Sequence, residues 1–313
     1  MKKITVILPT IGRPQYIKKA LNSILKQDYT DLEILISDNA SGYTRDELIG
    51  DCHDSRIKYI QHDRRLESSF HMNLCINLAS SEYLMILSDD DILSFSYISN
   101  MVEMFSNSKN MTVALGMQVK LSEYDDELPL FSQVNKNIEI KGLEFFKNQF
   151  QDKGKYQIYT YFSLFAKKMD ILNAGGFKDY QDGSNADNFL FYSLAISGVV
   201  GFSGAMMGYR VYLKSSGLST PFRNLYQATN QYDSDLSEML WSLKGYSLGQ
   251  MVYIRCLIKL SLVEMMVYRL LKIYRLNTGE LEIFLNLLRV VLIFPLNLIF
   301  NGSGIKSKLI NYK

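Results

Sequence analysis

Three adjacent carboxylates form the sharpest chemical feature of this 313-residue sequence. Asp89, Asp90 and Asp91 come directly after the apolar run at residues 83–87 (YLMIL), separated from it only by Ser88. Carboxylate oxygens are hard ligands suited to Mg²⁺ or Mn²⁺, and substrate phosphates often complete the shell of such an ion. The alternative interpretation is a solvated turn that also caps the next helix. The triplet is therefore a candidate metal site.

Two further polar clusters follow apolar runs nearer the N-terminus. Pro9 and Thr10 come after the first run, residues 4–8, and Asp38 and Asn39 come after the second. The Asp-Asn pair fits a helix cap or an Asx-turn. A carboxylate or an amide at the end of a strand also has the groups needed to bind a nucleobase edge or a ribose.

Asp187 precedes residues 188–197 (NFLFYSLAIS), which have an apolar helical pattern. It fits a helix N-cap, or a general base that takes the proton of an acceptor hydroxyl. The histidines His53, His62 and His71 do not form a metal pair at i,i+4 spacing, and we expect His71 to be a surface residue or a hydrogen-bonded core residue. Spacing alone supports no Ser–His–Asp or Cys–His arrangement.

The two common phosphate-binding loops are absent from the sequence. No GxGxxG follows the first apolar run, and no GxxxxGK[ST] occurs. A nucleotide bound by this protein would therefore need a cation for its phosphates, and the acidic triplet is the obvious holder.

The elements that must position these groups alternate between two periodicities. Short apolar runs typical of buried strands alternate with helical patterns, which predicts βαβ units and a parallel sheet. Ligands in such sheets bind at the carboxyl ends of the strands, where the three polar clusters fall. The predicted strands are 4–8, 32–37, 56–60 and 83–87, and the predicted helices are 15–27, 44–50, 69–80 and 95–106.

The pattern is weaker in the second half of the chain. Residues 120–140 are polar and irregular, which indicates a variable insertion. A Ser/Gly/Pro loop at 214–221 is a plausible domain boundary. We therefore expect a catalytic domain over 1–215 and a helical region over 216–313. Within the first domain, further strands are predicted near 157–166, at 199–203 and at 207–213, with a turn at 173–177.

Composition excludes several classes of protein. With 47% hydrophobic and 21% charged residues the chain is a packed globular protein, and its net charge of +2 argues against bulk nucleic-acid binding. The charge is divided unevenly, because residues 1–250 carry −4 and residues 251–313 carry +6. Three sparse cysteines suit a reducing cytoplasm, and the apolar run after Met1 is too short for a signal peptide.

The basic C-terminal region is also apolar. Residues 251–276 place Arg255, Lys259 and Arg269 in one narrow helical stripe, and residues 283–300 form a largely apolar run. These features favour helices that lie on an anionic membrane surface. The alternatives are packing on the catalytic domain, a homodimer interface, or a true membrane span, for which a mid-run arginine is unfavourable.

Three stretches together resemble family 2 glycosyltransferases with the GT-A fold, a Rossmann-like, mostly parallel α/β sheet flanked by helices. The SDNAS and SDDDIL forms most resemble bacterial enzymes that build O-antigen, capsule or other surface polysaccharides. The resemblance covers roughly residues 3–213. The stretches are ITVILPTIGRPQYIKKALNSILKQDYTDLEILISDNAS, YLMILSDDDIL and GGFKDYQDGSNADNFLFYSLAISG.

The resemblance implies roles for the matching positions of the donor site. Pro9, Thr10, Asp38 and Asn39 would contact the donor nucleoside, and Arg64 lies where relatives often contact the donor. Many relatives have a second aspartate in place of Asn39, so base preference is expected to differ.

The resemblance also implies roles in catalysis. Asp89 would span ribose and metal, Asp90 would be the main ligand of Mg²⁺ or Mn²⁺, and Asp91 would assist. Ser88 replaces the first aspartate of the Asp-x-Asp pattern of many relatives. Asp187 would be the general base of an inverting enzyme, although Ala186 replaces the usual glutamate before it.

The implied reaction transfers a sugar from a nucleotide-diphosphate sugar to a hydroxyl of a glycan acceptor, expected to be lipid-linked. The expected location is the cytoplasmic face of the plasma membrane, with the C-terminal helices as a peripheral anchor. Two alternatives remain: a sugar-nucleotide pyrophosphorylase, which normally has a Gly-rich basic loop after its first strand, and a catalytically degenerate protein that serves as a membrane-associated binding or scaffold subunit.

Overall fold

A computed structural model of the chain describes five main segments, residues 2–122, 137–142, 162–180, 185–210 and 222–242. Six isolated residues are also described: Leu128, Glu144, Phe145, Asn148, Ile158 and Arg255. Most of the predicted insertion, the predicted boundary loop and nearly all of the predicted C-terminal helices therefore lie outside the described residues.

The N-terminal part of the chain forms regular βαβ units. Its four strands are parallel and stand in the order β3-β2-β1-β4, so that each crossover passes through a helix. This confirms the four predicted strands and the helices between them. The elements are β1 (Ile4–Thr10), α1 (Pro14–Leu25), β2 (Leu32–Asp38), α2 (Arg45–Ile49), β3 (Ile57–Gln61), α3 (Ser68–Leu78) and β4 (Tyr83–Ile86).

Local sequence explains where these helices begin. Pro14 is the first residue of α1, where its missing N–H costs nothing and its fixed φ suits a helix. At α2, Thr44 and Glu47 form a reciprocal capping box. The apolar face of α1, which includes Ile17 and Leu21, is buried in the core. Burial of each such side chain stabilises the fold by about 1.5–3 kcal/mol.

The second half of the described chain extends the sheet in mixed directions. Beyond β4 the strand order is β8-β6-β9-β5, and β7 also pairs with β9. Strands β6 and β9 are parallel to each other, whereas β8, β5 and β7 are antiparallel to their neighbours. The predicted mostly parallel sheet is thus parallel from β1 to β4 and mixed afterwards. The elements are β5 (Ile92–Leu93), α4 (Tyr97–Asn107), β6 (Met111–Lys120), β7 (Ile138–Lys141), β8 (Phe165–Lys167), α5 (Lys168–Asn173), α6 (Ala186–Ser197), β9 (Val199–Tyr209) and α7 (Phe222–Trp241).

In this half, one sequence-based expectation needs correction and one strand was not predicted. The strands predicted at 199–203 and 207–213 are one strand, β9, which continues through the small residues Ser203 and Gly204. The register with its partner β6 shifts here, because Gly116 pairs with Ser203 and Met117 with Met206, so β9 has two extra residues at this point. Strand β6 itself was not predicted, although its sequence MTVALGMQVK is largely apolar.

The turn predicted at residues 173–177 follows α5 and is fastened to α3. The Asn73 amide donates to the Phe177 carbonyl at 2.8 Å, and its oxygen accepts from the Phe177 N–H at 2.8 Å. Gly176 has φ +65°, and an added Cβ would lie 2.3 Å from the Asn73 oxygen. Glycine is therefore required where the turn meets the helix.

The chain divides into two compact units. The first comprises Met1–Phe146, Gly154–Asp179 and Ala186–Tyr212, and the second comprises Lys147–Lys153, Tyr180–Asn185 and Leu213–Lys313. The predicted boundary at residue 215 stays a prediction, because residues 211–221 lie outside the described segments. No helix in the described part of the chain is both long and apolar enough to cross a membrane.

A buried ion pair lies in the described part of the second unit. Arg255 donates to both carboxylate oxygens of Asp233 on α7, to Oδ2 at 2.6 Å, and both side chains are buried. Tyr180 donates its hydroxyl to Asp235 Oδ2 at 2.7 Å. The expectation that Arg255 belongs to a membrane-facing basic stripe is therefore wrong, because its charge is already neutralised inside this unit.

Candidate functional site

The carboxyl ends of β1, β2 and β4 place the predicted polar clusters at one edge of the sheet. Thr10, the last residue of β1, is in register with Asp38, the last residue of β2. Strand β4 is paired to the other side of β1 and leads into the acidic triplet. The sheet thus brings together three clusters that lie far apart in sequence.

Hydrogen bonds join the loops that follow these strands. The Thr10 hydroxyl donates to Asp89 Oδ2 at 2.5 Å and accepts from the Gly12 N–H at 3.1 Å. The Asn39 N–H donates to the Thr10 carbonyl at 2.9 Å. Gly12 has φ +95°, and an added Cβ would lie 2.7 Å from Ser41 Cβ, so the first two loops meet at a position that needs glycine.

Arg13 bridges the first two aspartates of the triplet. Its Nη1 donates to Asp90 Oδ2 at 2.8 Å, and its Nη2 donates to Asp89 Oδ1. The Ser88 hydroxyl donates to the remaining oxygen of Asp90, Oδ1. Asp89 and Asp90 therefore face one shared position, which a positive charge occupies.

Asp91 points into a different environment. Its Oδ2 accepts from the Ser163 hydroxyl at 2.8 Å, and Ser163 also accepts from the Ser88 N–H at 3.2 Å. Arg210, at the end of β9, donates to the main-chain carbonyl of Asp90 and lies over the Tyr16 ring. Ser163 and Arg210 thus hold the acidic turn from segments that follow it in the chain, whereas Arg13 precedes it.

Burial is the largest influence on the pKa values of Asp89 and Asp91 in the acidic turn. Asp89 and Asp91 are almost completely inaccessible, and burial raises the pKa of both carboxyl groups. The Arg13 guanidinium opposes the increase in the pKa of Asp89, and the negative charge of Asp90 adds to the increase in the pKa of both groups. A cation shared by Asp89 and Asp90 would relieve this electrostatic cost.

Asp38 is fully buried and accepts three hydrogen bonds. Its Oδ1 accepts from the Ser41 N–H at 2.9 Å, and its Oδ2 accepts from the Ser41 hydroxyl at 2.9 Å and the Tyr59 hydroxyl at 3.1 Å. Burial, and then the adjacent Asp38 charge, raise the pKa of Tyr59, so this phenol remains a donor to Asp38. The carboxylate is thus fixed in orientation.

The Asn39 side chain holds the loop between β3 and α3. Its amide donates to the Leu66 carbonyl at 3.0 Å and its oxygen accepts from the Leu66 N–H at 2.8 Å. Arg65 donates to the Asn39 carbonyl at 3.2 Å, while the predicted donor contact Arg64 is exposed beside it. Asn39 therefore places the loop that carries both arginines.

A polar cluster behind Asp38 supports this strand end. The Ser37 hydroxyl lies 3.0 Å from His62 Nε2 and 2.8 Å from His71 Nε2, and the two imidazoles make an edge-to-face contact at 5.3 Å. Since one hydroxyl carries one proton, at least one imidazole must donate to Ser37. Burial, with the nearby His62, lowers the pKa of His71 to about 4. His71 is thus the hydrogen-bonded core residue that the sequence allowed.

Asp187 lies in the first turn of α6 and is half-buried. Helix α6 packs against β6 and β9. Strand β9 ends at Tyr209, directly before Arg210. Asp187 and the acidic turn are in the same compact unit, although they come from different loops. Its predicted role as the general base stays a prediction.

The profile of the family described as "Glycosyl transferase family 2" matches residues 5–171, which is more than half of the chain. The chain belongs to glycosyl transferase family 2. The matched range includes the acidic triplet, whereas Asp187 and Arg210 lie beyond it. The family predicted from the three motifs is confirmed.

The chain spans about a third of the length of two named relatives that it matches. GalNAc(5)-diNAcBac-PP-undecaprenol beta-1,3-glucosyltransferase of Campylobacter jejuni is 33% identical over 106 residues, 33% of this chain and 34% of that protein. The Escherichia coli UDP-Glc:alpha-D-GlcNAc-diphosphoundecaprenol beta-1,3-glucosyltransferase WfgD is 29% identical over 102 residues, 32% of this chain and 38% of that protein.

A solved structure supports the fold. Staphylococcus aureus TarS, residues 1–349 in complex with UDP-GlcNAc, superposes with a TM-score of 0.60 at 13% sequence identity, covering 81% of this chain and 70% of that one. At this identity the likeness concerns the fold alone. The predicted GT-A fold, an α/β sheet flanked by helices, is thus confirmed.

The family 2 fold raises the question of whether these residues suit a divalent cation. Asp89 and Asp90 offer hard oxygen ligands aimed at one shared position, which the Arg13 guanidinium marks as favourable for positive charge. Within the described segments no three His, Cys, Asp or Glu residues converge as a metal-binding group. The donor set therefore fits Mg²⁺ or Mn²⁺ shared with substrate phosphates rather than an all-protein cage.

Sequence reasoning missed three residues of this family 2 site: Arg13, Ser163 and Arg210. Arg13 lies between the end of β1 and the start of α1, so its place beside a strand end was a usable signal. Ser163 and Arg210 reach the acidic turn from remote parts of the chain, and no local pattern marks either of them.

The lowered pKa of His71 predicts a pH dependence of stability. Between pH 6.5 and 4 the unfolded chain binds a proton at His71 that the folded protein does not, so stability falls as pH falls through this window. We expect wild type to lose about 1 kcal/mol per pH unit relative to His71→Gln, measured by urea unfolding at pH 7.5 and 5.0.

The matched control is His53→Gln, because the His53 side chain is 79% exposed. Burial of Asp89 and Asp91 gives the opposite slope with pH, but both residues are present in every variant and cancel in the difference. A stability difference between wild type and His71→Gln that stays constant with pH would contradict the prediction.

Proposed function

We propose that the protein transfers a sugar from a nucleotide-diphosphate sugar to a hydroxyl group of a glycan acceptor. The observation that carries this proposal is the convergence of Asp38 with Asp89 and Asp90 at one sheet edge, connected through Thr10. In parallel α/β sheets this edge is where ligands bind. Membership of glycosyl transferase family 2 supports the same reaction.

The donor nucleoside binds between the loops that follow β1 and β2. Asp38 is held by Ser41 and Tyr59, so its carboxylate has a fixed direction toward a base or ribose. Pro9 and Thr10 form the adjoining wall, and exposed Arg64 is free to reach the donor from the loop that Asn39 fastens. Asp89 contributes a carboxylate for the ribose.

Asp90 and Asp89 hold the divalent cation, Mg²⁺ or Mn²⁺. When bound, this ion supplies positive charge that stabilises the diphosphate leaving group. Asp91 has a supporting role, because its carboxyl group bonds to Ser163 and lies apart from the position that Asp89 and Asp90 share. Of the three predicted metal ligands we therefore assign two.

Asp187 acts as the general base. It takes the proton of the acceptor hydroxyl as that oxygen attacks the anomeric carbon, and the bond from this carbon to the diphosphate oxygen breaks. A single displacement of this kind inverts the anomeric configuration. Its place in the first turn of α6, in the compact unit that also holds the acidic turn, supports this assignment.

The acceptor is a lipid-linked glycan at the inner face of the plasma membrane, in the synthesis of a bacterial surface polysaccharide. The names of the Campylobacter jejuni and WfgD relatives specify undecaprenol-linked acceptors. Arg255 is paired with Asp233, and the other basic residues of 251–313 suit an anionic membrane surface or, alternatively, a homodimer contact. Co-sedimentation of the full chain with phosphatidylglycerol vesicles, compared with a chain ending at residue 279, tests the membrane role; equal sedimentation would refute a tail anchor.

A catalytically degenerate binding or scaffold subunit is the alternative, supported by the departures Ala186 and Asn39. The structure weakens one of these arguments, because the Asn39 side chain has a positioning role of its own through Leu66. The convergence of Asp38, Asp89 and Asp90 at one sheet edge supports binding of a donor and a cation. The active enzyme is therefore the function that the site supports best.

The division of roles within the triplet can be tested by two isosteric substitutions. Asp90→Asn removes a charge from the proposed cation position, so we expect Mn²⁺-dependent donor binding to weaken by at least about tenfold. Asp91→Asn leaves a neutral amide beside Ser163, where burial already disfavours charge, so Mn²⁺-dependent binding is expected to stay within about twofold. Calorimetric titration measures both; equal losses would contradict the assignment.

The base can be separated from donor binding in the same way. We expect Asp187→Asn to lower the turnover number by about 10²–10⁴-fold while donor affinity changes by less than about twofold, because the base contacts the acceptor. Radiolabelled sugar transfer and calorimetry provide the two readouts. The control is Asp179→Asn, which removes a carboxylate from the segment before α6. Turnover of Asp187→Asn near the wild-type rate would show that another group is the base.

A further inference from the structure

All four carboxylate oxygens of Asp89 and Asp90 accept hydrogen bonds from protein groups. Arg13 donates to one oxygen of each residue, to Asp90 Oδ2 at 2.8 Å and to Asp89 Oδ1. Thr10 donates to Asp89 Oδ2 at 2.5 Å, and Ser88 donates to Asp90 Oδ1. Only the Arg13 contacts bring charge, and only they involve both carboxylates.

The guanidinium therefore occupies the place where a shared divalent cation would bind. Two positive charges a few ångströms apart at a poorly hydrated site repel strongly, since the interaction rises as the effective dielectric constant falls. A divalent ion that takes oxygens from both aspartates must compete with the arginine fork for the same position and is repelled by its charge. The protein must exchange one cation for the other.

We propose that Arg13 is a resident counter-ion of the Asp89–Asp90 pair and a gate for the divalent cation, which binds as the guanidinium leaves. This inference rests on the proposed function, since it concerns the same site. Arg13 compensates two buried carboxylates that would otherwise repel each other. With the cation bound, that compensation is no longer needed.

The local structure allows this exchange through the side chain alone. The Arg13 carbonyl accepts from the N–H groups of Tyr16 and Ile17 at 2.9 and 3.0 Å, which fixes its main chain at the start of α1. The Arg13 side chain is 30% exposed, whereas those of Asp89 and Asp90 are 2% and 9% exposed. The Arg13 side chain is therefore partly open to solvent, whereas both carboxylates are buried.

The exchange links cation binding to nucleotide binding. A nucleotide diphosphate brings negative charge to the same sheet edge and offers the displaced guanidinium an anionic partner. The diphosphate thus favours the state in which Arg13 has left the aspartates. By linkage, Mn²⁺ and the nucleotide each raise the affinity of the other, and part of this coupling depends on Arg13.

The test measures Mn²⁺ binding without nucleotide by the loss of the free-ion electron paramagnetic resonance signal. We expect Arg13→Gln to bind Mn²⁺ at least about tenfold more tightly than wild type, because the competing charge is gone. Arg13→Lys retains the charge without the two-pronged contact and should fall between them. The matched control is Arg56→Gln, whose arginine pairs with Asp54 and not with the triplet; its affinity should stay within about twofold of wild type.

Repeating the titrations with UDP, GDP, CDP and dTDP separates this inference from the proposed function. The expected result is that a nucleotide that binds raises the Mn²⁺ affinity of wild type more than that of Arg13→Gln. Unchanged or weaker Mn²⁺ binding by a folded Arg13→Gln, or by Arg13→Lys if the glutamine variant does not fold, would overturn the role of Arg13 alone. If neither wild type nor the variants bind Mn²⁺ with any of the nucleotides, the proposed metal-dependent function is contradicted as well.

Discussion

The accumulation of negative charge at one buried sheet edge is the constraint on which the rest of the site depends. Asp89, Asp90 and Asp91 are each less than a tenth exposed, and Asp38 is fully buried at the neighbouring strand end. Removing carboxylates from water costs several kcal/mol each unless hydrogen bonds and opposite charge compensate. The surrounding residues supply that compensation, and the proposed ligands, a cation and a nucleotide sugar, are suited to the same environment.

The compensation is distributed over the whole first unit. Arg13 comes from the start of α1, Ser163 from the segment before β8, and Arg210 from the end of β9. The parallel strands β1, β2 and β4 bring the acidic residues to a common edge, and the mixed part of the sheet brings the groups that hold them. The buried carboxylates would destabilise the sheet edge without Arg13, Ser163 and Arg210. The fold of the sheet in turn brings these three residues to the carboxylates.

Much of the first half of this arrangement could be predicted from sequence. The runs that became β1 to β4 are continuous and apolar, and the polar residues that follow them mark the carboxyl ends, so the place of Asp38 and the triplet was accessible. Contacts that depend on the tertiary fold could not be predicted from sequence. Asp91 looks equivalent to Asp90 in sequence, yet it faces Ser163, and Arg255 looks like a surface residue, yet it is buried against Asp233. The helical period shows which face a residue occupies but not what covers that face.

The central claim is that this edge binds a nucleotide sugar together with a divalent cation. It is tested most directly by thermal unfolding of the full chain with UDP-, GDP-, CDP- and dTDP-sugars, each with and without Mn²⁺. Because a ligand that binds only the folded state stabilises it by mass action, at least one nucleotide sugar should raise the melting temperature, and Mn²⁺ should increase that shift by about 2 °C or more. A melting temperature unchanged by every nucleotide sugar, with and without Mn²⁺, would contradict the account.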